Sequence, residues 1–262
     1  MHALTYAFLA LYLAHLATDF VLQSDRMVGQ KKKGDWASYA KHGAVHFITA
    51  VLSVGFASPV WLRTINCYGA IIGLSIIHLL IDRCKFALAA SNRVSDSTRA
   101  FVLDQVLHSG TVLAAAWLIV RTPMNELISD VASVQLEKYK ILLLLVVYVG
   151  AVFGGGYLVR YLTKPLLHRT TGNVQQTTDQ LANAGLYIGW LERFLVLTAL
   201  MLHSPATVGL ILTAKSIARY PEFKSVRFAE YFLIGTLLSI SIGILGGLLL
   251  LKVVYGTISL SK

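Results

Sequence analysis

The chain has 262 residues, of which 56% are hydrophobic and only 14% charged. This excludes an ordinary soluble domain and points to an all-α polytopic membrane protein. The formal net charge is +10, but the basic residues are scattered over short loops rather than gathered in a patch, so no nucleic-acid partner is expected.

Apolar runs long enough to span a bilayer, roughly 17 to 25 residues, occur near 3–23, 42–62, 66–89, 101–121, 139–161, 186–204 and 229–254. The first has no basic leader or small-residue cleavage site, so residues 4–22 read as a retained helix rather than a signal peptide. Cys67 and Cys84 fall at opposite ends of the third run, which argues against a disulfide between them. The Gly154, Gly155, Gly156 run lies inside the fifth and reads as a site of close packing or a kink. An eighth run, Pro205 to Ile217, is short. Read as a crossing rather than a re-entrant segment, it gives eight helices with both termini outside, within a total of seven or eight.

The loops at 24–41, 83–100, 160–184 and 215–228 hold 16 of the 23 Lys and Arg residues. By the positive-inside rule these loops are cytoplasmic. The polar stretch 164–181 reads as a cytoplasmic linker, and residues 1–123 and 124–262 as a ligand-rich four-helix membrane bundle and a set of C-terminal membrane helices, with no internal repeat.

Within the first part, four pairs of ligand-type residues stand four apart: His15 and Asp19, His42 and His46, His78 and Asp82, Asp104 and His108. On a helix, this spacing puts both side chains on one face. The predicted topology places all four pairs at the cytoplasmic ends of their helices, a shared depth that unrelated polar residues have no reason to adopt. The remaining acidic pair, Glu126 and Asp130, falls in a polar loop. A single pair would read as interhelical hydrogen bonding. Four at one depth read as a metal site, because imidazole and carboxylate both bind divalent ions and inward-facing residues on facing helices build two-metal centres. Eight donors suit two metals, zinc by donor type, with manganese or iron tolerated.

Gln23 continues the stripe of His15 and Asp19, and Gln105 adjoins Asp104, so either amide can orient a ligand or meet substrate. Asp25, Arg83 and Lys85 lie at the mouth of the site. Lys85 reads either as a contact for an anionic group or as a topogenic lysine. The second half has its own polar set: Glu192, Arg193, Lys215, Arg219 and Glu230. These residues form ion pairs with one another, or else Arg193, Lys215 and Arg219 form a cationic pocket for a phosphate headgroup. There is no Ser/His nucleophile constellation, phosphate-cradling Gly loop or thiol pair.

The strings HLATDFVLQSD, KHGAVHF, HLLIDRCK and DQVLH, followed by AGLYIGWLERF, AKSIARY and AEYFLIGTLLS, resemble a bacterial family of integral membrane proteins catalogued as a domain of unknown function. The resemblance covers nearly the whole chain and implies a multi-pass protein of the bacterial cytoplasmic (inner) membrane. More loosely, residues 15–108 resemble membrane-bound metal-dependent hydrolases and, more remotely, the all-helical zinc-dependent phospholipase C group. That likeness implies metal binding by the eight paired residues. It departs from the soluble enzymes in putting the ligands on membrane helices and in having no N-terminal amine placed to coordinate.

The leading expectation is a metal-dependent hydrolase of a phospholipid or other membrane-associated phosphoester at the cytoplasmic face. In it, Asp82 or Asp104 acts as general base, and Lys85, Arg193 or Lys215 holds the headgroup. The alternatives are a metal-ion or proton transporter or channel, and a metal-stabilised anchor or sensor for a protein partner. The sequence leaves room for a homo-oligomer.

Overall fold

The computed structural model describes residues 3–91, 97–121, 132–170, 184–224 and 226–256. Every regular element among them is helical. The chain divides into two compact units, Met1–Val149 and Gly150–Lys262.

The first unit contains α1 (Ala3–Phe20), α2 (Asp25–Lys32), α3 (Trp36–Ala57), α4 (Ile65–Ala90), α5 (Thr98–Val120) and α6 (Ala132–Val149). Helix α1 packs on α3 and α5, and α4 packs on the same two, which closes a ring of four helices; α6 lies against α1 and α3. The compact unit that carries the ligand helices therefore runs on to Val149. Helix starts follow local rules. Ser24, Asp35, Thr64 and Ser97 each precede a helix and accept the backbone N–H three residues on, at Met27, Ser38, Cys67 and Ala100 respectively. Between α2 and α3, Gly34 takes φ +82° and donates its N–H to the Lys31 carbonyl, a left-handed reversal that glycine adopts without Cβ strain.

The outward faces of these helices are apolar. Ile48, Leu52 and Phe56 on α3, Ile72, Ile76 and Leu80 on α4, and Val102, Val106 and Leu113 on α5 are all exposed, while the most polar side chains point inward. That inversion suits lipid as the surrounding solvent.

The second unit opens on a π-helical segment, Gly150–Gly154, and contains α7 (Gly155–Thr170), α8 (Ala184–Met201), α9 (Ala206–Arg219) and α10 (Val226–Tyr255). Gly243 and Gly247, four apart on α10, meet Val196 and Leu200 of α8. A Cβ on either glycine would come within 2.8 Å of Val196 or 2.5 Å of Leu200, so the two helices approach as closely as small residues permit.

Among the described residues, six helical stretches are long and apolar enough to cross a membrane, which makes this a multi-pass membrane protein by length and composition: Ala3–Phe20, Ile65–Ala90, Thr98–Val120, Lys138–Leu166, Ala184–Met201 and Phe228–Tyr255. Helix α3 is outside this set although its 22 residues extend about 33 Å; Lys41, His42 and His46 lower its apolar character. The 14 residues of α9 reach only about 21 Å, against a hydrocarbon core of about 30 Å.

Two expectations from the sequence change. Residues 164–170, read as the start of a linker, continue α7 past Pro165, because extending an existing helix needs no new nucleus even where the residues are polar. The glycine run marks both a π segment and close packing. The rest of the linker, 171–181, and the Glu126/Asp130 pair lie outside the described residues. Cys67 is buried and Cys84 exposed, and both are free thiols.

Candidate metal centre

All eight paired residues converge inside the first unit. Pairs late in α1 and α4 meet pairs early in α3 and α5, so the spacing of four puts each pair on an inward face at one level of the ring. His15, His42, His46, His78 and His108 are each at most 1% exposed, and Asp82 and Asp104 are buried beside them. Asp19 is the most accessible of the eight, with 11% of its side chain exposed.

His78 stands at the middle. Its ring centroid lies 4.4 Å from that of His46, 4.5 Å from His108, 5.0 Å from His42 and 5.4 Å from His15. His78 Nε2 is 2.9 Å from His42 Nε2 and 3.2 Å from Asp19 Oδ1, and His42 Nε2 is 3.3 Å from the same oxygen. With zinc bonds of about 2.0–2.1 Å, two donors on one tetrahedral ion stand roughly 3.3 Å apart, so these three atoms are spaced like the edges of one coordination shell. Among the described residues, three groupings bring donors within 4.8 Å of one another and could hold a metal ion: His15, His46 and His78; Asp19, His42 and His78; His78, Asp82 and His108. His78 belongs to all three.

Three of the other histidines have their hydrogen-bonding roles fixed from behind. The Ser75 hydroxyl donates to the Ile71 carbonyl and so is left to accept from His46 Nδ1 at 3.0 Å. The Asp104 carbonyl accepts from His108 Nδ1 at 2.8 Å. Gln105 donates its amide to Asp104 Oδ2 and lets its Oε1 accept from His15 Nε2 at 3.4 Å. In each ring, one nitrogen thus bears the proton. The opposite nitrogens, His46 Nε2, His108 Nε2 and His15 Nδ1, are buried with no hydrogen-bond partner among the described residues, as are His78 Nδ1 and Asp104 Oδ1. A buried polar atom left unpaired costs about 1–3 kcal/mol. Imidazoles that donate one N–H to a carbonyl or hydroxyl oxygen and present a bare second nitrogen are arranged as metal ligands are.

Residues 7–136 match the family described as "Protein of unknown function (DUF3307)". This segment is a DUF3307 domain. No curated protein and no solved structure matches the chain. The DUF3307 domain contains all eight paired residues, while the motifs AGLYIGWLERF, AKSIARY and AEYFLIGTLLS lie beyond its end, so the family match is narrower than the whole-chain resemblance read from the sequence. The looser likeness to membrane-bound metal-dependent hydrolases finds no support in these comparisons.

The remaining predicted residues divide between the two units. Within the DUF3307 domain, the Gln23 amide lies 3.3 Å from His42 Nδ1, Gln105 bridges His15 and Asp104, and Lys85 Nζ donates to Asp104 Oδ2 at 2.8 Å. The other three, Arg193, Lys215 and Arg219, belong to the second unit. There, Arg193 is buried and donates from Nε and Nη2 to the Val152 carbonyl, which lies in the π segment, and from Nη1 to Ser239. Gly156 and Gly189 make room for its guanidinium. Lys215 pairs with Glu192 at 2.6 Å, so the ion pairing anticipated for this set is present. Arg219 closes the last turn of α9.

Two residues of the centre escape a reading of the sequence. Ser75 is one serine in an apolar run; its place three residues before His78 is the only signal. Lys31 is one of three consecutive lysines, yet it alone turns inward. Its ammonium donates to Asp82 Oδ2 with 1% of the side chain exposed, flanked by the Tyr39 and Phe86 rings, each 5.7 Å away. The Tyr39 hydroxyl donates to the Lys31 carbonyl at 3.2 Å, and the Gln30 side-chain amide lies 2.9 Å from the Ser38 hydroxyl, fastening α2 to α3.

Proposed function

We propose that this chain is a membrane-embedded, metal-dependent hydrolase acting on a phospholipid or other membrane-associated phosphoester at the cytoplasmic face, with zinc, manganese or iron at the His/Asp centre. The observation that carries the reading is the set of three histidines whose second nitrogens are pinned by Gln105, Ser75 and the Asp104 carbonyl, leaving His15 Nδ1, His46 Nε2 and His108 Nε2 buried and unpaired. A bound divalent ion supplies Lewis acidity toward a phosphoryl oxygen and activates water for attack.

The protein's own groups supply the rest. Asp19, His42 and His78 provide a donor set with spacings of 2.9–3.3 Å. Of the two carboxylates read as general base, Asp104 keeps Oδ1 without a hydrogen-bond partner and is the better placed to accept a proton. Lys85, with about a third of its side chain exposed at 32%, stands where an oxyanion enters.

Hydrolysis at one membrane face is favoured over transport by what lies beyond the centre. The buried residues toward the other end of the bundle are mostly apolar, with Ala7 and Leu11 on α1, Val54 on α3, Ile71 on α4 and Ile119 on α5 beside Ser58, Trp61 and a Tyr6 hydroxyl that donates to the Ala57 carbonyl. An ion pathway needs polar groups along its length.

The test is purified protein loaded with zinc or manganese and presented with a broad phospholipid panel. Release of phosphate or headgroup is expected, lost on chelation and in a His46→Ala, Asp82→Ala double variant that still folds. No release from any lipid overturns the reading. Metal flux into proteoliposomes that disappears in His46→Ala would reassign the centre to transport.

A further inference from the structure

Two of the three carboxylates in the centre already hold a lysine: Asp82 holds Lys31 and Asp104 holds Lys85. Asp19 has histidine neighbours only among its ion-pair contacts. The two lysines differ in kind. Lys85 is partly exposed and leaves Asp104 Oδ1 without a hydrogen-bond partner among the described residues, 3.7 Å from His108 Nδ1, so Asp104 can take up a second partner without releasing it. Lys31 is buried, and the oxygen it holds, Asp82 Oδ2, is the one that lies 3.5 Å from His42 Nε2. A cation therefore sits one carboxylate oxygen away from the Asp19, His42 and His78 donors, and against Asp82, a member of the His78, Asp82 and His108 grouping.

Charge decides what can share that space. Three carboxylates against two ammonium groups leave one net negative charge on neutral imidazoles. One divalent ion turns this to +1, and a second to +3, in a largely buried site, where uncompensated charge is strongly disfavoured. A phosphoryl oxyanion carrying two negative charges restores +1 and offers the Lys31 ammonium an alternative partner.

We propose that Lys31 competes with a second divalent ion for Asp82 and is handed over to the phosphoryl oxyanion of the ligand. With Lys31 on Asp82, the centre takes one ion at Asp19, His42 and His78; Asp82 and His108 are left to take the second when an oxyanion draws the ammonium away. This deepens the hydrolase reading and rests on the metal centre it invokes. It makes α2, the short helix fastened over the site by Tyr39 and Ser38, the element through which substrate and metal binding are coupled.

The test measures Mn2+ binding to detergent-purified protein from the free-ion EPR signal, in the wild type and in Lys31→Met and Lys31→Gln. Inorganic phosphate and phosphatidic acid in nanodiscs are added as separate arms. The wild type is expected to hold one ion tightly and to gain a second with one of the two oxyanions; the arm that succeeds shows whether free phosphate or a lipid headgroup is read. The variants are expected to hold two without either, the second bound about 10- to 100-fold more tightly than in the wild type. Variants that match the wild type in stoichiometry and affinity overturn the proposal. Should neither variant fold, the wild-type arms decide alone: a second ion that ignores both oxyanions overturns it. A wild type that binds no Mn2+ or Zn2+ under any condition refutes the metal centre itself, a different result from a wild type that binds metal without regard to Lys31.

Discussion

Replacing His78 with alanine is the most discriminating perturbation of this centre. His78 takes part in all three donor groupings, whereas His46 and Asp82 each take part in one. Removing it leaves two donors in each. Structural zinc in small peptides is bound with about 10–16 kcal/mol over four ligands, or roughly 2.5–4 kcal/mol per ligand, which at about 1.4 kcal/mol per decade is a loss on the order of 10² to 10³ in affinity. His46→Ala should cost the same at one grouping and leave Asp19, His42 and His78 intact. The assay is metal content by mass spectrometry on protein purified in detergent, with gel-filtration monodispersity as the control for folding. His78→Ala is expected to carry essentially no metal while His46→Ala keeps part of its load. A folded His78→Ala variant with wild-type metal content would refute the placement of His78 at the heart of the site. Loss of all metal in His46→Ala, but not in His78→Ala, would do the same.

Three further outcomes follow from individual contacts. Ser75→Ala removes the hydroxyl that accepts from His46 Nδ1 and should weaken metal binding by about 10- to 100-fold with the fold retained; an unchanged binding isotherm would show that Ser75 only packs. In the second unit, a Cβ at position 156 would lie 2.6 Å from Arg193 Nη2 and 2.9 Å from Trp190 Nε1, so Gly156→Ala should destabilise the protein by about 1–3 kcal/mol, read as a lowered thermal midpoint with metal content intact. At the start of α3, hydrogen bonds from the Ser38 hydroxyl and backbone N–H hold the Asp35 carboxyl below its usual range. The folded value is the lower one, so this stabilisation is present above the unfolded value and disappears as pH falls through the folded value. The difference in thermal midpoint between wild type and Asp35→Ala should be open at neutral pH and close in acid; a difference that persists in acid would contradict the assignment of the cap.

Local rules made the first half of this protein legible. Lipid compatibility follows from composition, because a chain so apolar has too little polar surface to face water. The convergence of His15, Asp19, His42, His46, His78, Asp82, Asp104 and His108 was readable because helical periodicity is a property of neighbours in the chain: a spacing of four fixes the face, and alternating helix direction fixes the level. Tertiary structure alone decided which of those residues occupies the middle, because the centrality of His78 depends on how four separate helices rotate against one another. It also decided which nitrogens are left bare, since the partners that pin His15 and His46, Gln105 and Ser75, come from other helices. The inward turn of Lys31 is the sharpest case. Lys31, Lys32 and Lys33 are the same residue type in the same local sequence, and only the reversal at Gly34 and the hydroxyl of Tyr39 determine which one reaches Asp82, a residue 51 positions away. Chemical identity is written along the chain, but the charge that a buried carboxylate meets is set by packing.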